Sequence, residues 1–126
     1  MLHGLRILVT ARDDATALQL RELFERRHAD VRHATDGKGA LAHVRPTWVP
    51  HVLVTEFRLG DMDANDLARA VGRHAGAPVA VICTAPRGRQ RHTHPAGLGF
   101  ARCFVHPVEA EEICAAIAEA IDTERR

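Results

Sequence analysis

Two hydrophobic patterns alternate along the chain. Short apolar runs occur at Leu5 to Thr10 (LRILVT), His51 to Thr55, Pro78 to Cys83 (PVAVIC) and Cys103 to Val105, and Ala29 to Ala34, after a turn near His28, reads as a further short strand. Runs of this length bounded by turn residues predict strands buried on both faces, as in a parallel sheet. Between them, apolar residues recur three and four apart. Leu20, Leu23 and Phe24 follow the Asp13-Asp14 pair, Ala40, Leu41 and Val44 follow Asp36-Gly37, and Leu67 and Val71 follow Ala64. Ile113, Ile117 and Ile121 form a ridge in the last segment, which begins near Val108-Glu109. The aspartates suit helix starts. Glu109, Glu111 and Glu112 suit the positive end of the last helix dipole, as Arg125 and Arg126 suit its far end. Alternation also calls for a helix over Pro86 to Gly99, but Gly88, Pro95, Gly97 and Gly99 make a poor one, so a shortened or irregular segment is expected there. Five strands alternating with five helical segments predict one α/β domain over residues 1–126, a doubly wound three-layer sandwich with right-handed crossovers.

The stretch His51 to Met62 (HVLVTEFRLGDM) is the most suggestive for function. A buried strand ends on a carboxylate, Glu56, and the chain then breaks at Gly60 into an acidic turn bearing Asp61 and Asp63. The carboxyl ends of the strands in an open parallel sheet line the crevice where ligands bind. Glu56 therefore stands where a functional side chain would stand; the plainer reading is a strand-end carboxylate in a solvated crevice.

Composition narrows the classes. A net charge of +1 over 126 residues does not advertise nucleic acid or an anionic membrane. Charge is nonetheless uneven: from Leu67 through Val108 there is no Asp or Glu, and Arg87, Arg89 and Arg91 crowd one Gly-interrupted loop that could hold an acidic partner or phosphates. No aromatic residues interleave with those charges to stack on bases, and a solvated loop explains them equally well. Three cysteines, Cys83, Cys103 and Cys114, lack metal-site spacing and fit free thiols in a reducing compartment. No apolar run approaches membrane-spanning length and no secretory leader is evident, so a cytoplasmic location is expected. His92 and His94 with Cys103 or His106 do not make a convincing zinc set. Trp48, in the Pro46 to Pro50 loop, is expected to cover a sheet edge.

Five pieces of the chain together carry a resemblance: RILV at Arg6 to Val9, TDGKGAL at Thr35 to Leu41, RLGDMDA at Arg58 to Ala64, ICTA at Ile82 to Ala85, and FVHPVEAEEI at Phe104 to Ile113. In order and spacing they resemble the receiver domain of bacterial two-component response regulators over nearly the whole chain. The resemblance implies a flavodoxin-like fold with strand order 2-1-3-4-5, and an aspartate at the end of the third strand that accepts a phosphoryl group beside Mg2+. The positions that matter depart from that pattern. Ala11 and Arg12 replace the metal-binding acidic pair, Glu56 replaces the acceptor aspartate, and His106 replaces a lysine. Cys103 stands at the aromatic switch position, whereas Thr84 matches the switch hydroxyl and Pro107 matches a proline whose preceding peptide bond is typically cis. A shifted alignment could recruit Asp13 and Asp14, although a helix-cap role explains both.

These substitutions imply a pseudo-receiver: a non-enzymatic signalling module that has lost Mg2+ binding and works without phosphorylation, with Glu56 as a permanent charge. It would meet a protein partner or a second copy through the face of the fourth helical segment, the fifth strand and the fifth helix. The alternatives are a relaxed but active phosphoacceptor using Glu56 and Asp13, or a nucleic-acid-contacting regulator working through residues 87–94. A further expectation is that the Arg12 guanidinium takes the metal's place and pairs with Glu56.

Overall fold

In the computed structural model the described residues are 2–76, 79–85, 101–105 and 108–124. They form β1 (Arg6–Thr10), α1 (Asp14–Glu25), β2 (Asp30–Ala34), α2 (Gly37–His43), β3 (Val52–Glu56), α3 (Ala64–Ala75), β4 (Ala80–Ala85), β5 (Ala101–Val105) and α4 (Ala110–Glu124). The strands make one parallel sheet in the order β2-β1-β3-β4-β5. This is the doubly wound arrangement the hydrophobic runs predict, in the flavodoxin-like order the resemblance implies, with β5 reaching two residues further back than the pattern suggested. The fourth helical segment, with Arg87, Arg89 and Arg91, lies outside the described residues, as do His106 and Pro107.

Alternation along the strands sorts side chains onto two layers. Ile7, Val9, Val52, Val54, Ala80 and Ile82 face α1 and α4, where Phe24 and Ile117 are fully buried against them. Leu8, Leu53, Val79 and Val81 face α2 and α3, packing on Leu67 and Val71. The ridge expected on the last helix is thus real: Ile113 and Ile117 are buried, and Ile121 packs at the margin of the same cluster. Trp48 does cover the β2 edge. Its indole N–H donates to Asp30 at 2.9 Å and the Arg32 guanidinium lies 4.6 Å above its ring, both residues of β2.

The loops are closed by carboxylates. Asp36 accepts from the Gly39 amide at 2.7 Å to cap α2, and Asp63 accepts from Asp66 at 2.9 Å to cap α3. Asp61 reaches across to α2, its two oxygens each 2.9 Å from the amides of Gly37 and Lys38. These two hydrogen bonds, in that order, hold its carboxyl below the ordinary value of 3.8. As pH falls below that value the unfolded chain takes up the proton before the folded one, so the contribution of Asp61 to stability is present at neutral pH and lost as pH falls through the folded value. Asp61→Asn is therefore expected to lower the urea midpoint at pH 7. The gap from the parent should close on acidification, and a gap that stays constant down to pH 3 (about a unit below the carboxylate range) would remove the staple.

Helix α3 ends at Gly76, whose φ of 80° is left-handed and whose α-hydrogen faces open space. Gly60, in the acidic loop, also has nothing near a would-be Cβ, and its φ is not left-handed. Gly76→Ala should destabilise by about 1 kcal/mol through backbone strain alone. Gly60→Ala should be neutral or stabilising by about 0.5 kcal/mol, since it only narrows the unfolded ensemble. Urea unfolding of the two variants side by side checks both signs.

Candidate functional site

The crevice at the carboxyl ends of β1, β3 and β4 is built by strand parity. Val54 and Glu56 share a face of β3, Ile82 and Thr84 share a face of β4, and Glu56 and Thr84 are register partners. The Glu56 carboxylate and the Thr84 side chain therefore lie side by side over the α1 and α4 layer. Below them a cavity of about 300 Å³ runs between α1 and α4, with Thr16, Leu20, Val54 and Ile113 in its wall. Thr84 is buried and its carbonyl accepts from the Phe57 amide at 2.6 Å, fixing the turn that leaves β3.

Glu56 is held by the main chain. Its Oε1 accepts from the backbone N–H of Arg12 at 2.5 Å, and the Arg12 guanidinium makes no ion pair with it. The expected pair between the Arg12 guanidinium and Glu56 is therefore not formed; the contact is made by the Arg12 amide instead. The reason is the turn at the end of β1: Ala11 continues the strand pairing through its N–H to Ala34 and is fully buried, so the next amide points into the crevice while the Arg12 side chain remains exposed.

The other candidates scatter. Asp13 takes the N-cap position of α1, but its carboxylate accepts from the Thr16 hydroxyl at 3.0 Å rather than from an amide. Asp14 stands 3.7 Å from His33 Nε2. Cys103 lies on the opposite face of the sheet, because its register partner is Cys83, not Thr84. Phe104, partner of Thr84, faces α4, with the Arg102 guanidinium 5.2 Å from its ring.

Mg2+ asks for several oxygen ligands in an octahedron, and the residues present do not fit it. One position of the acidic pair is a buried methyl, the other is an exposed guanidinium, and one oxygen of Glu56 is already hydrogen-bonded. Among the described residues no group of three or more His, Cys, Asp or Glu side chains converges. Sequence reasoning missed the Arg12 amide because a main-chain donor has no residue signature.

No family model and no curated protein matches the chain. Solved structures do match it closely in shape. A response regulator receiver domain from Clostridium thermocellum superposes with a TM-score of 0.81 at 21% identity, covering 96% of this chain and 97% of that one. A CheY-like receiver domain protein from Methanospirillum hungatei gives 0.77 at 18% identity, with 97% of each chain covered. A structure named adenylate cyclase from Rhodopirellula baltica gives 0.78 at 16% identity, over 94% of this chain and 88% of that one. The fold is that of receiver domains.

Because the Arg12 contact is an amide, Arg12→Ala should change stability by less than about 0.5 kcal/mol. Glu56→Ala should cost about 1 kcal/mol, the scale of a lost charge-assisted hydrogen bond in a half-exposed crevice. The double variant should lose the sum of the two. A coupling energy above about 0.5 kcal/mol in this cycle would mean that the guanidinium does engage Glu56.

Proposed function

We propose that the chain is a regulatory module of two-component type that works without phosphorylation or Mg2+ and has no catalytic activity of its own. One observation carries this reading: the carboxylate at the acceptor position is held by the Arg12 amide, in a crevice whose metal-binding positions are a buried methyl and an exposed cation. Phosphoryl transfer to a carboxylate depends on cationic stabilisation of three developing oxygen charges. Ala11 and Arg12 supply no carboxylate for a metal, and one oxygen of Glu56 is shared with the Arg12 amide, which supports the reading. Glu56 instead acts as a fixed negative charge beside Thr84, biasing the module toward one state.

Its partner is a protein or a second copy, met at the side of the sheet where β5 and α4 lie. β5 is an end strand of the described sheet, and such a strand presents backbone groups ready for recognition. Arg102 ties β5 to α4 through Glu119 at 3.0 Å, leaving both charged side chains about half exposed on that face. Among the described residues no helix is long and apolar enough to cross a membrane, and free thiols at Cys83, Cys103 and Cys114 fit a reducing cytoplasmic setting.

Incubation with acetyl phosphate and Mg2+, followed by intact mass, should give no phosphoryl adduct. Amide shifts of Glu56 and Thr84 should not saturate in Mg2+ below about 1 mM, the weak end of oxygen-ligand cation sites. A hydroxylamine-labile adduct on Glu56 would replace this reading with that of an active phosphoacceptor.

A further inference from the structure

Strand register assembles a second row of side chains at the same end of the sheet, on the face opposite Glu56. Thr10 pairs with Thr55, Thr55 with Cys83, and Cys83 with Cys103. Partners in register share a face, so all four side chains project toward the α2 and α3 layer. The row is small and polar where the rows below it are Leu8, Leu53 and Val81. Its groups are also sparingly satisfied. The Thr10 hydroxyl is buried without a hydrogen-bond partner, and the Cys83 thiol reaches only the Thr84 carbonyl, at 3.8 Å.

Neighbouring strands lie about 4.8 Å apart, and disulfides join residues whose Cα atoms are about 4.4 to 6.8 Å apart. Both thiols are free, Cys83 deeply buried and Cys103 partly exposed. We propose that Cys83 and Cys103 form an oxidisable dithiol, in which Cys103 is attacked by a hydroperoxide and Cys83 resolves the product to an intramolecular disulfide.

The chemistry balances in two steps. The Cys103 thiolate attacks the peroxide O–O bond, forming S–O as O–O breaks; sulfur is oxidised by two electrons, and the leaving alkoxide or hydroxide takes a proton. The Cys83 sulfur then attacks the sulfenic sulfur, forming S–S and expelling hydroxide, which leaves as water with the Cys83 proton. The local chemistry supports this division of roles. Cys83 is deeply buried, which disfavours its thiolate, whereas Cys103 is partly exposed. The sulfur open to the oxidant is thus also the one whose thiolate burial penalises less, which is what site-selective oxidation requires. Cys114 cannot join them, because it lies in the α4 layer on the other side of the sheet. Closing the disulfide would draw the Cys83 sulfur away from the carbonyl of Thr84, the neighbour of Glu56, so the two faces of the crevice are linked. The thiol chemistry itself stands whether or not Glu56 accepts a phosphoryl group.

Hydrogen peroxide is the probe, applied to the full chain carrying Cys114→Ser so that only these two thiols remain. The expected product is a monomer lighter by two hydrogens, with a peptide cross-link joining Cys83 to Cys103 and full reversal by dithiothreitol. Adding Cys83→Ser should leave Cys103 as a sulfenic acid captured by dimedone. Adding Cys103→Ser should slow reaction with peroxide about tenfold, as expected when the accessible thiolate is removed. The unsubstituted protein, mapped in the same way, decides the matter if a variant does not fold. Over-oxidation of Cys103 without a cross-link, an intermolecular dimer as the sole product, or dimedone labelling of Cys83 at the parent rate would each overturn the proposal.

Discussion

A carboxylate at the carboxyl end of a buried parallel strand has to be compensated, and how this is done decides what the rest of the crevice can be. Among the described residues the compensation is a main-chain amide, that of Arg12, 2.5 Å from Glu56. Glutamate reaches it because it is one methylene longer than aspartate. Ala11, fully buried and paired to Ala34, fixes the direction in which that amide points. A metal would have demanded further carboxylates at these two positions, each costly to hold near another without the ion. With an amide in that role, position 11 can be a buried methyl and position 12 can send its charge into solvent. The residues at positions 11, 12 and 56 therefore form one consistent set.

Strand parity then separates two chemistries within a few ångströms. The face carrying Val54 and Ile82 delivers Glu56 and Thr84 over an apolar cavity, whereas the face carrying Leu53 and Val81 delivers Thr55, Cys83 and Cys103. A one-residue slip of β4 would exchange Cys83 and Thr84 and put a thiol beside the carboxylate. The register is secured by burial on both faces of β4, every residue of which is buried.

Much of this was legible in the sequence because the strands are buried on both sides. The inner strands read as unbroken apolar runs, and the start of α2 is marked by Asp36, whose capping role follows from its chemistry. The position of Glu56 at a strand end was legible for the same reason. What it touches was not: the spacing of Arg12 and Glu56 indicated proximity, and charge suggested the guanidinium, but a donor common to every non-proline residue leaves no trace in the side-chain pattern. The pairing of Cys83 with Cys103 was hidden differently. They are separated by Thr84 to Arg102, and only the register of two parallel strands brings them level.

The acidic turn after β3 shows how a cluster of charges can be structural although it sits beside a functional crevice. Asp61 and Asp63 follow Glu56 closely enough to suggest a shared site, yet each is directed at a helix start: Asp61 at the first two amides of α2, and Asp63 at α3. Helix amino termini present unpaired N–H groups that carboxylates satisfy well. These two acids are thus committed to locking the β3 loop against the α2 and α3 layer, and they hold in place the backbone from which Glu56 emerges. Among the described residues that line the crevice cavity, Glu56 is the one carboxylate. A carboxylate held by one amide depends on the rigidity of the backbone that presents it, and these two capped turns supply that rigidity.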